Sequence, residues 1–251
     1  AQDRALRRAR SVEQSEQSPL IAAAVQFEVD MRTYSSVRSF ERSAEELVEE
    51  AAGRGAELLV FPEYVNVFLA AAGMTETLTE TWMEADDLSE AVEKVVGRGS
   101  IHGFLADRSM VVRSRMDRVW SELASEYSVW IVAGSYFAAE DAGAGARTGG
   151  GGTRTGGTDD FSAADSADPG NQAGSSRVEL YNRAVVYGPD GTAVYEQDKV
   201  YLTPFERKVL ELEAGSVEKA RTFEIEGWDC ALTICRDTFF DSWYGRFEDE
   251  I

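Results

Sequence analysis

The strongest constraint on this chain lies in residues 19–63, where an apolar segment, an amphipathic segment and a second apolar segment follow one another. "PLIAAAVQFEV" (19–29) is short and apolar, the pattern of a buried strand. In "SSVRSFERSAEELVEEAAGRG" (35–55), Val37, Phe40, Ala44, Leu47 and Ala51 recur at helical spacing, with serine at the start and Gly53 at the end. "AELLVFPE" (56–63) is a continuous apolar run stopped by Pro62. A strand that does not alternate polar with apolar residues is buried on both faces, so this β-α-β order predicts an α/β fold with helices covering a sheet. At 251 residues the chain has room for one large domain or two small ones, and its 43% of hydrophobic residues supply a sizeable core.

The rest of the chain extends this pattern unevenly. Helical periodicity recurs in "TETWMEADDLSEAVEKVV" (79–96), and "MVVRSRMDRVWSELASEYS" (110–128) is a clearer amphipathic helix leading into the strand "VWIVAGSYF" (129–137). Between them, "GRGSIHGFLADRS" (97–109) reads as a loop carrying His102, the only histidine. Residues 138–177 hold ten of the 22 glycines and bury too little apolar area to offset their ordering entropy, so they read as a disordered insertion. Their "GGGG" run lacks the Lys-Ser/Thr pair and helix start of a phosphate cradle. After it, "VVY" and "TAVY" flank a "GPDG" turn in hairpin fashion, and the sheet is expected to resume in "RTFEIEGWDCALTIC" (221–235). Residues 1–18 read as a tail, basic at first but without the apolar core of a signal peptide, and 19–251 as one domain.

Charge and cysteine content narrow the function classes. With 45 acidic against 25 basic residues the formal charge is −20, which repels phosphate backbones and disfavours nucleic-acid partners. Only four of the basic residues are lysine, a balance that fits solubility at high salt and equally an ordinary acidic protein. No run approaches the ~20 apolar residues that cross a bilayer, so no membrane partner is expected. Cys230 and Cys235 lie on one strand-like stretch, where five residues at ~3.3 Å each hold them ~16 Å apart, beyond disulfide reach. One histidine and two cysteines do not readily assemble a zinc or multi-histidine site, so no metal and no cofactor are expected. A free thiol fits a reducing compartment such as the cytoplasm.

Ligands in α/β folds bind beyond the carboxyl ends of strands, and three reactive side chains stand at such ends. Glu63 follows "LLVFP", Lys199 follows "AVYEQD", and Cys235 closes "ALTI". Each has a plainer reading, as a capping carboxylate, a solvated lysine and a core thiol. Together they are chemically coherent. A thiol with a pKa near 8.5 needs a base or a cation to act as a nucleophile at neutral pH. Glu63 supplies a base and Lys199 a cation for the thiolate and for a developing oxyanion. His102 is the other candidate base, but nothing near it in sequence orients it.

"LLVFPEY" (58–64), "LYNRAVVYGPDGTAVYEQDKVYLTPFE" (180–206) and "GWDCALTICRDTFFD" (227–241) resemble, in order, three signature segments of the carbon-nitrogen hydrolase (nitrilase) superfamily. The resemblance spans roughly residues 20–245 and implies a Glu63–Lys199–Cys235 triad, with Glu206 supporting the lysine and positioning substrate. It implies an αββα sandwich that associates into homodimers or higher homo-oligomers. It also implies thiol attack on a small amide or nitrile, release of amine or ammonia, and hydrolysis of the thioester. Amide hydrolysis is the expected reaction, with nitrile hydrolysis, acyl transfer to an amine, or a non-catalytic binding fragment as alternatives.

Three departures accompany the resemblance. Asp237 is retained after the cysteine, but Phe239 stands where the family often carries an arginine. The interval between Glu63 and Lys199 is longer than is usual there. Only 16 residues follow Cys235, so the chain is expected to lack part of the C-terminal half of the fold.

Overall fold

The computed structural model describes residues 18–30, 32–72, 100–141 and 178–248. Its centre is a five-stranded sheet in chain order: β1 (Ala22–Ala24), β2 (Leu58–Val60), β3 (Trp130–Asp141), β4 (Val178–Tyr187) and β5 (Ala193–Asp198). β1, β2 and β3 run parallel, with Ala22 opposite Leu58 and Leu58 opposite Trp130. β4 and β5 are antiparallel neighbours on the β3 side. Their hairpin turns at "GPDG", where Gly191 donates to the Gly188 carbonyl and Asp190 accepts from the Thr192 N–H.

The pleat sorts side chains between two apolar layers. Leu59, Ile131, Ala133, Val185 and Tyr187 face helices α1 (Val37–Gly53) and α2 (Ile101–Tyr127), meeting Phe40, Ala44, Val48, Met116 and Trp120. α1 begins where Ser36 accepts the Ser39 N–H. Leu58, Trp130, Val132, Val186 and Tyr195 face the other way and pack against Phe223 and Leu232. Burial of each large side chain in these layers stabilises the fold by roughly 1.5–3 kcal/mol.

Several expectations need correction. "RTFEIEGWDCALTIC" does not extend the main sheet: β6 (Phe223–Ile225) and β7 (Trp228–Cys230) form a separate antiparallel pair, turning through Glu226 and Gly227 at positive φ. The second sheet of the sandwich is this short hairpin among the described residues, giving an arrangement of helices, sheet and partial sheet. Residues 231–234 are not strand, so Cys230 and Cys235 do not share one. Both cysteines are nevertheless free.

The segment around His102 is not a loop. Ser100 caps α2 through the Gly103 N–H, which places His102 in the helix's first turn. β3 runs four residues into the expected insertion, because Ala138 and Ala139 find partners in Tyr181 and Leu180. The helical pattern at 79–96, the remainder of the insertion (142–177) and the tail (1–17) lie outside the described residues. No helix of the described residues is long and apolar enough to cross a membrane.

Candidate active site

Glu63 is set by the turn that follows β2. There the chain passes over a β-bulge in β3 between Val132 and Ser135, and Gly134 sits in the bulge at φ +65°. A Cβ on Gly134 would lie 2.1 Å from the Pro62 carbonyl oxygen, so the turn comes this close only over a glycine. Tyr64, itself left-handed at φ +66°, donates its N–H to Ser135 Oγ at 2.9 Å. Just beyond, buried Asn66 accepts from Trp120 Nε1 and donates to the Ala133 carbonyl, each at 2.7 Å. These bonds fasten the Glu63 turn to both α2 and β3.

Lys199 follows β5 directly, and its N–H donates to the Asn182 carbonyl on β4. Its ammonium is 1% exposed and donates to Glu63 Oε1 at 2.8 Å and to Glu206 Oε1 at 2.9 Å. Glu206 lies on α3 (Pro204–Lys208), whose capping box exchanges bonds between Thr203 and Glu206. One carboxylate oxygen thus caps the helix while the other reaches Lys199. Gly215 seals this corner: its N–H donates to the Lys199 carbonyl, and a Cβ there would lie 2.6 Å from the Asp198 carbonyl oxygen.

Cys235 is exposed and left-handed at φ +44°, at the start of a 3-10 turn (Cys235–Phe239). Its thiol lies within electrostatic reach of both Glu63 and Lys199. All four residues singled out in the sequence therefore meet in one site. His102 is in hydrogen-bonding contact with none of them.

Three contributors had not been assigned a role. Tyr64 donates its hydroxyl to Glu206 Oε1 and packs against Phe137. Asn182, fully buried on β4, donates through Nδ2 to Glu63 at 2.7 Å and to Glu206 at 3.0 Å. Asp237, also fully buried, accepts the N–H groups of Val200 and Tyr201. A polar Asn inside the apolar run "LYNRAVVY" was the one legible signal among these; the other two depend on contacts distant in sequence.

One ammonium between two carboxylates sets the charge balance of the site. Burial pushes the Glu206 carboxyl up, but hydrogen bonds from Tyr64, Thr203 and Lys199 outweigh it and take the group down to about 2. Burial lowers Lys199, yet its bonds to Glu63 and Glu206 carry it above the ordinary lysine value, so it stays charged. The Cys235 thiol is raised by burial and by the negative Glu63, and the Lys199 cation offsets this only in part. At rest the sulfur is a thiol, and attack on an electrophile requires its proton to be removed. Among the described residues no cluster of three or more potential metal ligands is present.

A model of the carbon-nitrogen hydrolase family matches residues 21–244. No curated protein matches the chain. Among solved structures the chain is similar to a mutant of the amidase from Nesterenkonia sp. AN1 carrying acrylamide at its active-site cysteine, at 12% identity and a TM-score of 0.47. That match covers 90% of this chain and 61% of the amidase. The carbon-nitrogen hydrolase from Helicobacter pylori G27 aligns at 12% identity and a TM-score of 0.48, covering 89% of this chain and 54% of that one. The C. elegans NitFhit protein aligns at 16% identity and a TM-score of 0.46, covering 87% and 38%. The chain thus spans about six-tenths or less of the length of these relatives.

Proposed function

Because the chain belongs to the carbon-nitrogen hydrolase family, we propose that it hydrolyses the carbon-nitrogen bond of a small non-peptide amide through a thioester on Cys235. The observation that carries this reading is the placement of the exposed Cys235 thiol within electrostatic reach of Glu63 and Lys199, with Glu63 held by hydrogen bonds from Lys199 and Asn182.

In the proposed mechanism Glu63 takes the thiol proton as sulfur attacks the carbonyl carbon. The oxygen that gains negative charge is stabilised by the Lys199 ammonium, within electrostatic reach of the sulfur, and by the backbone N–H of Arg236, the residue next to Cys235. The intermediate collapses as Glu63 returns its proton to the nitrogen, and ammonia or an amine leaves. Water then gives a proton to Glu63 and attacks the thioester carbon. Expulsion of sulfur, with the proton passed back to it, yields the carboxylic acid and the free thiol. Glu206 acts through Lys199, holding the ammonium between two carboxylates.

Nitrile hydrolysis and acyl transfer to an amine share the thioester, and one panel separates them. Small amides and nitriles are assayed for ammonia release, with and without hydroxylamine as acceptor. Amide-dependent ammonia release that disappears in Cys235→Ala supports the reading. Equal release by the variant sinks it. Self-association and residence in a reducing compartment, which keeps Cys235 a thiol, belong to the same proposal; light scattering reads the former.

A further inference from the structure

Both hydrogen bonds that Glu63 receives from Lys199 and Asn182 fall on one oxygen, Oε1. Glu206 is held in the same manner, its Oε1 accepting from Lys199, Asn182 and Tyr64. The Asn182 amide therefore spans two carboxylates of like charge, one N–H to each, while the ammonium bridges them from another side. A primary amide has two diverging donors on one nitrogen, which fixes the separation and rotation of two acceptors together. Its orientation is dictated by this network: turned over, it would aim a carbonyl at two carboxylates.

The carbonyl end is left at a disadvantage. Asn182 is fully buried on β4, and its Oδ1 has no hydrogen-bond partner among the described residues. Buried amides ordinarily satisfy both ends. A residue that forgoes one end to aim the other at two carboxylates serves their placement ahead of its own stability. Saturating Glu63 Oε1 leaves Oε2 as the oxygen for proton transfer, so the rotation of this carboxylate determines where the base points.

We propose that Asn182 is a positioning residue for the hydrolytic reaction: its amide clamps Glu63 and Glu206 by their Oε1 atoms, turning Glu63 Oε2 toward Cys235 and the attacking water. This rests on the proposed thioester chemistry and adds a residue outside the expected triad. Asn182 touches neither substrate nor sulfur and acts through Glu63. A clamp that fails by even about 1 Å costs on the order of 10²-fold in rate.

The test uses p-nitrophenyl acetate, an ester reactive enough to acylate an exposed thiol with little help, and follows the lifetime of the acyl adduct by intact-mass spectrometry in a Cys230→Ser background. Four forms are compared: otherwise unchanged chain, Glu63→Gln, Asn182→Leu and Asn182→Asp, each checked for an unaltered far-UV spectrum and cooperative melting. The expected result is rapid adduct loss in the unchanged chain, and an adduct persisting about 10- to 100-fold longer in Glu63→Gln and Asn182→Leu. In Asn182→Asp the adduct is also long-lived near neutral pH. Its lifetime shortens as the pH falls and the new carboxyl gains a proton to donate, while Asn182→Leu shows no such recovery. A short lifetime in Asn182→Leu beside a long one in Glu63→Gln overturns the clamp alone. The same pH dependence in the Leu and Asp variants also overturns it, because a role in packing alone does not respond to a donated proton. Equal lifetimes in the unchanged chain and Glu63→Gln overturn the general-base reading beneath it.

Discussion

Asp237 accepts the backbone N–H of Tyr201 at 2.7 Å, which ties the turn carrying Cys235 to the chain just after Lys199. A second bond, from the Val200 N–H at 3.2 Å, falls on the same carboxylate oxygen. Cys235 and Lys199 therefore keep their spacing through one buried side chain 36 residues away from the backbone it holds.

Asp237→Ala leaves both N–H groups without this acceptor and is expected to cost about 1–3 kcal/mol in urea unfolding. Burial, outweighing the two backbone bonds, raises the Asp237 carboxyl above its ordinary 3.8. A raised folded value means that the folded chain holds this proton more tightly, so the associated stability is present at low pH and lost as pH rises from 3.8 through the folded value. Asp237→Asn keeps the shape and cannot titrate. Its stability relative to wild type should increase as pH rises through that window, and a constant difference would contradict the assignment.

Glu206 has the opposite sign. Its carboxyl falls from 4.5 to about 2, so its contribution is fully present above pH 4.5 and disappears as pH drops toward 2. Melting temperatures of wild type and Glu206→Gln should differ most above pH 4.5 and converge below it. Curves that stay parallel down to pH 2 would show that the network does not hold Glu206 ionised.

Gly134→Ala is expected to destabilise the fold by at least about 2 kcal/mol, since left-handed strain and overpacking act together. The new methyl meets the Pro62 carbonyl oxygen and Val65 Cγ1, at 2.1 and 2.6 Å. The Glu63 turn is what gives way, so thioester hydrolysis should slow along with the drop in melting temperature. Unchanged hydrolysis in a folded Gly134→Ala variant would separate the bulge from the site.

Cys235→Ala should abolish turnover while leaving the melting temperature within a few degrees of wild type. The side chain is exposed, and no packing cavity opens on its removal. Residual amide hydrolysis above background in this variant would move the nucleophile elsewhere.

The linear sequence carried the chemistry in its local order. Three strand-like segments each ended in one reactive group, and the helix over 37–53, the strand over 129–137 and the "GPDG" hairpin were written in periodicities of 3.6 and 2 and in turn residues. Helix existence was legible where spacing was strong. The first turn of α2 around His102 was not, because a helix lengthened by a serine cap and tertiary packing carries little periodic signal of its own. "ALTI" has the composition of a strand, yet β7 ends at Cys230 and the sulfur is presented from a left-handed residue opening a 3-10 turn. Apolar residues report that a segment is buried, and only the neighbours available to its backbone decide whether it pairs. Likewise the sequence determined that a glutamate, a lysine and a cysteine stand at the ends of strand-like segments. That Asn182 and Tyr64 converge on the two carboxylates, and that Asp237 holds the chain beyond Lys199, was decided by contacts 24 to 142 residues apart, which no local pattern encodes.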